Sequence, residues 1–215
     1  MIHLNAQSSA KVCVFAVTAG FRGRNTMIEI IEILRQEHRN IEILLRVMEQ
    51  EIRVFDRGER PDYEVLEAII EFFKKYPASC HHPKEDIIYE KFKARDPDWA
   101  ASIANLEAEH REGAARLRRV AQAIESVLAD QEVMREDVDR IVRDFIDNER
   151  KHIVLEDEVV FPAMIKTLKP ADWADIALNL ADRYGPPSTA DFEEQFNRLR
   201  RDILELEKVA IARRP

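Results

Sequence analysis

The residues of this 215-residue chain best placed to do chemistry are histidines set one helical turn before an acid. His81 precedes Glu85 in HHPKED, and His152 precedes Glu156 in HIVLED. Residues four apart in a helix lie one above the other on a single face. Each pair therefore offers an imidazole nitrogen and a carboxylate to a common centre, which is the spacing of a metal-ligand pair. Spacing alone is weak evidence. With 41 acids among 215 residues, any position is acidic roughly one time in five, and His38 with Glu42 and His82 with Asp86 share the spacing.

Helical phase separates these pairs. From Met27 the chain reads as four long amphipathic helices with a period of about 3.6 residues. The first carries Ile31, Leu34, His38, Ile41, Leu45, Met48 and Ile52 on one stripe. The second carries Leu66, Ile70, Phe73, His81, Ile88 and Phe92, with Pro77 and Pro83 inside it, so an irregularity is expected at 77–83. The third opens at the capping sequence Asp96-Pro97-Asp98 and carries Ile103, Leu106, His110, Leu117, Ile124 and Leu128. The fourth carries Val138, Ile141, Phe145, His152, Val159 and Ala163.

At about 100° per residue, His81 falls in line with Ile70, Ile88 and Phe92, whereas His82 is rotated to the margin and Asp86 further still. His38, His110 and His152 lie on the stripes of their own helices, Glu156 beside His152, and Glu42 at a stripe's edge. Each helix thus points one histidine inward and two add a glutamate. Buried carboxylates cost several kcal/mol unless paired or bound to metal, so the set reads as a metal site more readily than as packing. Uniform phase leaves His82 unneeded for metal.

The set repeats. His38 to His110 spans 72 residues, and His81 to His152 and Glu85 to Glu156 each span 71. Two helix hairpins related in this way provide two adjacent metal positions bridged by two carboxylates. Imidazole with carboxylate suits iron or manganese, and thiolate is absent from the stripes. Short connections between the helices imply an all-α, up-down-up-down four-helix bundle.

Composition agrees with a folded helical protein. Hydrophobic residues make up 46% and charged residues 34%, while only 5 glycines and 9 prolines leave little turn material for a many-stranded sheet. The net charge of -8 argues against nucleic acid or an anionic membrane surface as partner. Cys13 and Cys80 cannot build a disulfide framework, so a reducing, cytoplasmic setting is the default expectation. Residues 1–26 read as a disordered leader or an over-extended start. The Val12–Ala19 apolar run falls far short of the roughly 20 residues that span a bilayer, and it is weak as a secretory signal. His3, within that leader, has no assigned role. The bundle is expected over 27–169 and a C-terminal helical extension over 170–215. Its last helix carries Phe192, Phe196, Leu199, Ile203 and Leu206 at heptad spacing, either to pack on the bundle or to form a homodimer.

The stretches LRQEHRNIEILL, YPASCHHPKEDIIYEKF, LEAEHREGAARL and FIDNERKHIVLEDEVVFPAM resemble those of bacterial hemerythrin-like (HHE cation-binding) domain proteins, over about residues 27–169. The resemblance implies a bundle holding two non-haem iron ions, oxo- or hydroxo-bridged and bridged by two carboxylates. By position, His38, His81, Glu85, His110, His152 and Glu156 would be the ligands. The sequence departs from the oxygen-carrying members in one place. Their second histidine, one turn after that of the third helix, is here Ala114, beside Gly113. The resulting set of four histidines and two glutamates is similar to di-iron proteins linked to nitric oxide and iron-sulfur repair, although Cys13 is a poor match to the cysteine-bearing domain those usually carry. The implied function is binding or sensing of O2, NO or peroxide, or else an enzyme that turns over peroxide or NO or delivers iron for cluster repair. Tyr76, Tyr89 and Cys80 are expected near the site, in packing roles or as relays.

Overall fold

The computed structural model describes residues 24–102, 106–184, 201–205, 208–209 and 212. Among them every regular element is helical and there is no strand. Nor is any described helix long and apolar enough to cross a membrane.

Helix α1 (Arg24–Asp56) buries the whole expected stripe from Ile31 to Ile52. It ends where Gly58 takes φ of 80°, a left-handed conformation that a Cβ would strain. Asp62 then caps α2 (Tyr63–Tyr76), its carboxylate accepting the Val65 N–H at 3.1 Å. Asp96 does the same for the short α4 (Pro97–Ser102), accepting the Trp99 N–H at 3.0 Å. Helix α5 (Leu106–Leu128) buries Leu106, Leu117 and Ile124, while Leu128 at its end is exposed.

Two of the four long helices are interrupted in the same manner. α2 runs through a π-turn at Pro77–His81 into α3 (His82–Arg95), and α6 (Arg135–Leu155) runs through a π-turn at Glu156–Val160 into α7 (Phe161–Thr167). The first closes with the His82 N–H donating to the Pro77 carbonyl, the second with the Phe161 N–H donating to the Glu156 carbonyl. In both cases the next residue is proline, Pro83 or Pro162. Proline lacks a donor and its ring crowds the carbonyl four residues back, so the helix widens by one residue there. The irregularity expected at 77–83 is the first of these turns.

An inserted residue sets the following faces back by one step of about 100°. Val159, assigned by uniform periodicity to the buried side, is 45% exposed, and Val160 is buried in its place at 0%. A single helical period does not hold across the π-turn at Glu156–Val160.

The apolar core consists of two clusters. One joins Ile41 to Phe55 of α1, Val65 to Tyr76 of α2, Leu117 to Ile124 of α5 and Val138 to Ile146 of α6. The other joins Ile30 to Leu34 of α1, Ile88 to Phe92 of α3, Leu106 of α5 and Val160 to Met164 of the second π-turn and α7. Helix α8 (Pro170–Tyr184) closes the second cluster with Trp173, Ile176 and Leu180. It is tied down by Asp172, which accepts two hydrogen bonds from Arg95 at 2.8 and 2.9 Å. In every long helix the interval between the two clusters contains the histidines and glutamates singled out above. Of the last helix, residues 201–205 are helical and Ile203 is buried in the first cluster. Ile103, Phe192, Phe196, Leu199, Leu206 and residues 1–23 of the leader lie outside the described residues, whereas residues 24–26, expected to belong to the leader, already form the start of α1, with Thr26 buried.

Leu44 is fully buried in the first cluster, away from the polar interval. Leu44→Ala is expected to cost about 2–5 kcal/mol of folding stability, read by chemical denaturation. A loss of only a few tenths would show that this cluster does not hold the helices together.

Candidate metal centre

The structure brings all six sequence-derived residues together between the two apolar clusters. His38 of α1, His81 and Glu85 of α2–α3 and Glu156 of the second π-turn form one buried group. His110 of α5 and His152 of α6 adjoin it, each side chain 11% exposed. Glu42, left at the stripe's edge by sequence, is outside the site and pairs with Arg46 and Arg150.

The two carboxylates lie between the imidazoles. Glu85 presents Oε1 to His81 Nε2 at 3.1 Å and to His38 Nε2 at 3.4 Å, and Oε2 to His110 Nε2 at 3.5 Å. Glu156 presents Oε2 to His38 Nε2 at 3.3 Å and His152 Nε2 at 3.4 Å, and Oε1 to His110 Nε2 at 3.9 Å. His38 Nε2 and His81 Nε2 are themselves 3.1 Å apart. All four carboxylate oxygens are buried without a well-formed hydrogen bond, as are both nitrogens of His152 and Nε2 of His110. Buried polar atoms ordinarily find such partners. Lone pairs that converge from several directions and satisfy each other poorly are the donor set of a cation site, and imidazole with carboxylate oxygen suits iron or manganese.

A surrounding layer fixes these side chains. His81 Nδ1 donates to Glu37 at 2.8 Å, and Glu37 is held on its other oxygen by the fully buried Lys84. His38 Nδ1 donates to Asp157 at 3.1 Å, Asp157 is approached by Arg35, and the His38 ring stacks on Phe161 at 5.6 Å between centroids. A carboxylate on Nδ1 turns Nε2 inward and raises its basicity.

The electrostatics follow from this geometry. Burial opposes charge on His38, but its hydrogen bond to Asp157 and the closeness of the Glu156 and Glu85 carboxylates outweigh burial and push the imidazolium up to about 12. His81 is opposed by burial in the same way and is raised to about 9 by Glu85 and Glu37. Glu156 is held down to about 2, against its burial and the charge of Glu85, by His152, His110 and His38. Burial, followed by the charge of His110, pushes His82 down to about 3 and keeps it neutral.

Several residues here were not marked by sequence reasoning. His82 stands with His110 and His152 in a second group of ligand atoms, its ring stacked on that of His110 at 3.7 Å and 7°. The π-turn explains this placement, because the widened turn carries the adjacent His81 and His82 both to the inside. The available signal was the doublet between two prolines. Glu37 and Lys84 satisfy each other in the interior, and neither sits on an apolar stripe. Glu149, one turn before His152, places Oε1 where a Cβ on Gly113 would come within 2.9 Å, so the glycine leaves room for that carboxylate. Of the expected neighbours, Tyr89 donates to the Ala100 carbonyl at 3.2 Å, burial and then Glu37 raise Tyr76, and Cys80 is buried with its sulfur not free. A cavity of about 510 Å3 reaches the His110 and His152 side past Gly113 and Ala114.

Two outcomes follow from these contacts. Glu37→Gln removes the charge behind His81, and metal affinity is expected to fall about 10- to 100-fold, measured by competition with a chelator; unchanged affinity would leave Glu37 with no role in orienting the ligand. Chelator-treated protein carries raised imidazole pKa values, so this stabilisation is complete below the ordinary 6.5 and is lost as pH rises through about 9 for His81 and about 12 for His38. Glu156 contributes above its ordinary 4.5 and loses that contribution as pH falls through about 2. Chemical denaturation across this range is expected to show declining stability from pH 6.5 to 9, and a steady rise there would contradict the assignment.

A family model described as the hemerythrin HHE cation-binding domain matches residues 29–164, an interval that contains every residue of the two ligand groups and ends within α7. No curated protein and no solved structure matches the chain. With well over half of the sequence inside the matched interval and the histidine-glutamate cluster at its centre, the chain belongs to the hemerythrin HHE cation-binding domain family.

Proposed function

We propose that this chain is a non-haem di-iron protein that binds or senses a small oxidant or diatomic, O2, NO or peroxide. The observation that carries this reading is the position of Glu85 and Glu156, whose buried oxygens face imidazoles on both sides, as bridging carboxylates between two cations must. His38, His81, Glu85, His110, His152 and Glu156 are the proposed ligands. The proposed functional unit is the bundle expected over 27–169, which α1 extends back to Arg24, with the residues before it as a leader and 170–215 as a C-terminal extension. The two apolar clusters alternate between the beginnings and ends of successive long helices, which supports up-down-up-down order. The burial of Ile203 in the first cluster favours a last helix packed on its own chain over a homodimer seam.

Two ferrous ions supply the electrons and the coordination sites that small oxidants need. The protein's own part is positional. Glu37 and Asp157 fix His81 and His38, the clusters above and below exclude water, and the cavity admits a small molecule to the His110 and His152 side. The size of that cavity, larger than a diatomic requires, favours as the alternative a di-iron enzyme of nitrosative or oxidative stress. Such an enzyme would turn over peroxide or NO, or deliver iron for iron-sulfur cluster repair.

Purified protein is expected to carry close to two irons per chain with the near-ultraviolet absorption of a bridged ferric pair; one zinc, or no metal, would overturn the proposal. Mixing the reduced protein with O2, NO and H2O2 in turn separates the two functions. An adduct released on evacuation indicates binding, and catalytic consumption indicates the enzyme.

A further inference from the structure

We infer that His82 is a further metal ligand, serving the more open of the two cation positions in place of the histidine that the third helix lacks at Ala114. This rests on the two-cation reading above. The buried group already contains His38 and His81, each backed by a carboxylate on Nδ1. The other side has His110 and His152, and uniform helical phase offers nothing more. One turn beyond His110 stand Gly113 and Ala114, neither able to ligate.

His82 occupies that space from the opposite helix. Ligand atoms of His82, His110 and His152 all lie within 4.8 Å of one another. Its ring lies flat on that of His110, at 3.7 Å between centroids, and nearly perpendicular to that of His152, at 6.3 Å and 87°. Nitrogens of three imidazoles gathered so closely, those of His152 and Nε2 of His110 being buried without a hydrogen-bond partner, form a donor set for a cation.

The backbone supports the same conclusion. Adjacent residues of a regular helix diverge by about 100°, so only one of His81 and His82 could face inward. The π-turn ending at His81, closed by the His82 N–H on the Pro77 carbonyl and followed by Pro83, lets both do so. π-turns often occur at functional sites because the extra residue re-aims a side chain. His81 then serves the buried group and His82 the open one, which borders the cavity past Gly113 and Ala114.

Anaerobic titration with Fe(II) alone, followed by metal analysis, tests this on the full chain. Wild-type protein is expected to bind two irons and His82→Gln about one, with the spectroscopic signature of an iron pair lost. His82→Glu, which keeps a ligand, should restore the second iron, whereas a merely structural role predicts equal content in the two variants. Circular dichroism checks that each variant is folded. If His82→Gln does not fold, His82→Ala with added imidazole replaces it, and recovery of the second iron only with imidazole is expected. Two irons in wild type and in a folded glutamine or alanine variant without imidazole would overturn the role of His82 while leaving the di-iron reading intact. Fewer than two in wild type would overturn the di-iron reading itself.

Discussion

The structure depends on the burial of three carboxylates at mid-height in a helical core. Glu37, Glu85 and Glu156 are each at most 2% exposed. An ionised carboxylate taken out of water costs several kcal/mol even after relaxation, unless opposite charge and hydrogen bonds compensate it. The apolar clusters above and below provide neither. Compensation must come from the same narrow interval, and it does so through Lys84 and His81 for Glu37, and through His38, His81, His110 and His152 for Glu85 and Glu156. The four long helices are therefore constrained in register as well as orientation. A shift of one turn in any of them would place a charge against leucine and isoleucine.

That constraint explains which parts of the site were legible in the sequence. A polar residue on an otherwise apolar stripe stands out when the helix is regular, so His38, His110 and His152 could be read directly. The repeat of 71 and 72 residues paired the two hairpins without any knowledge of the fold. Reading failed where the period failed. Val159 and Val160 exchange places across the second π-turn, and His82 turns inward across the first. Both errors have one source, a proline that the helix accommodates by widening, and the prolines were visible. What was not visible is how a chain resolves such a clash, since a kink, a break and an inserted residue all begin from the same sequence. Glu37 and Lys84 were illegible for another reason. Each looks like an ordinary surface charge until its partner, 47 residues away, is brought beside it.

The two halves of the site are unequal despite the repeat, and the inequality follows from small differences in sequence. On the His38 and His81 side, the ring nitrogens facing outward meet Asp157 and Glu37, and Phe161 covers His38. On the other side, the nearest acid to His110 Nδ1 is Asp86 at 3.8 Å, beyond a good hydrogen bond, and Gly113 and Ala114 leave a passage to the surface. One position is thus rigid, anionic in its surroundings and closed; the other is looser and accessible. In the proposed two-cation centre, such a division would let the closed position hold its cation while the open one exchanged ligands.

Glu149 completes this asymmetry. It reaches the open side over the only glycine of α5, and burial, then the charge of Glu156, raise its carboxyl above the ordinary range. A glycine inside a helix costs about 1 kcal/mol relative to alanine, and an alanine here would meet the Glu149 oxygen at 2.9 Å. The glycine thus leaves the end of the Glu149 side chain room beside the accessible half of the site. The repeat gives the closed side no counterpart, because the residue one turn before His81 is Ala78. An acid raised by burial thus stands beside the accessible side, whereas the acids of the closed side, Glu37 and Asp157, hydrogen-bond the imidazoles of His81 and His38.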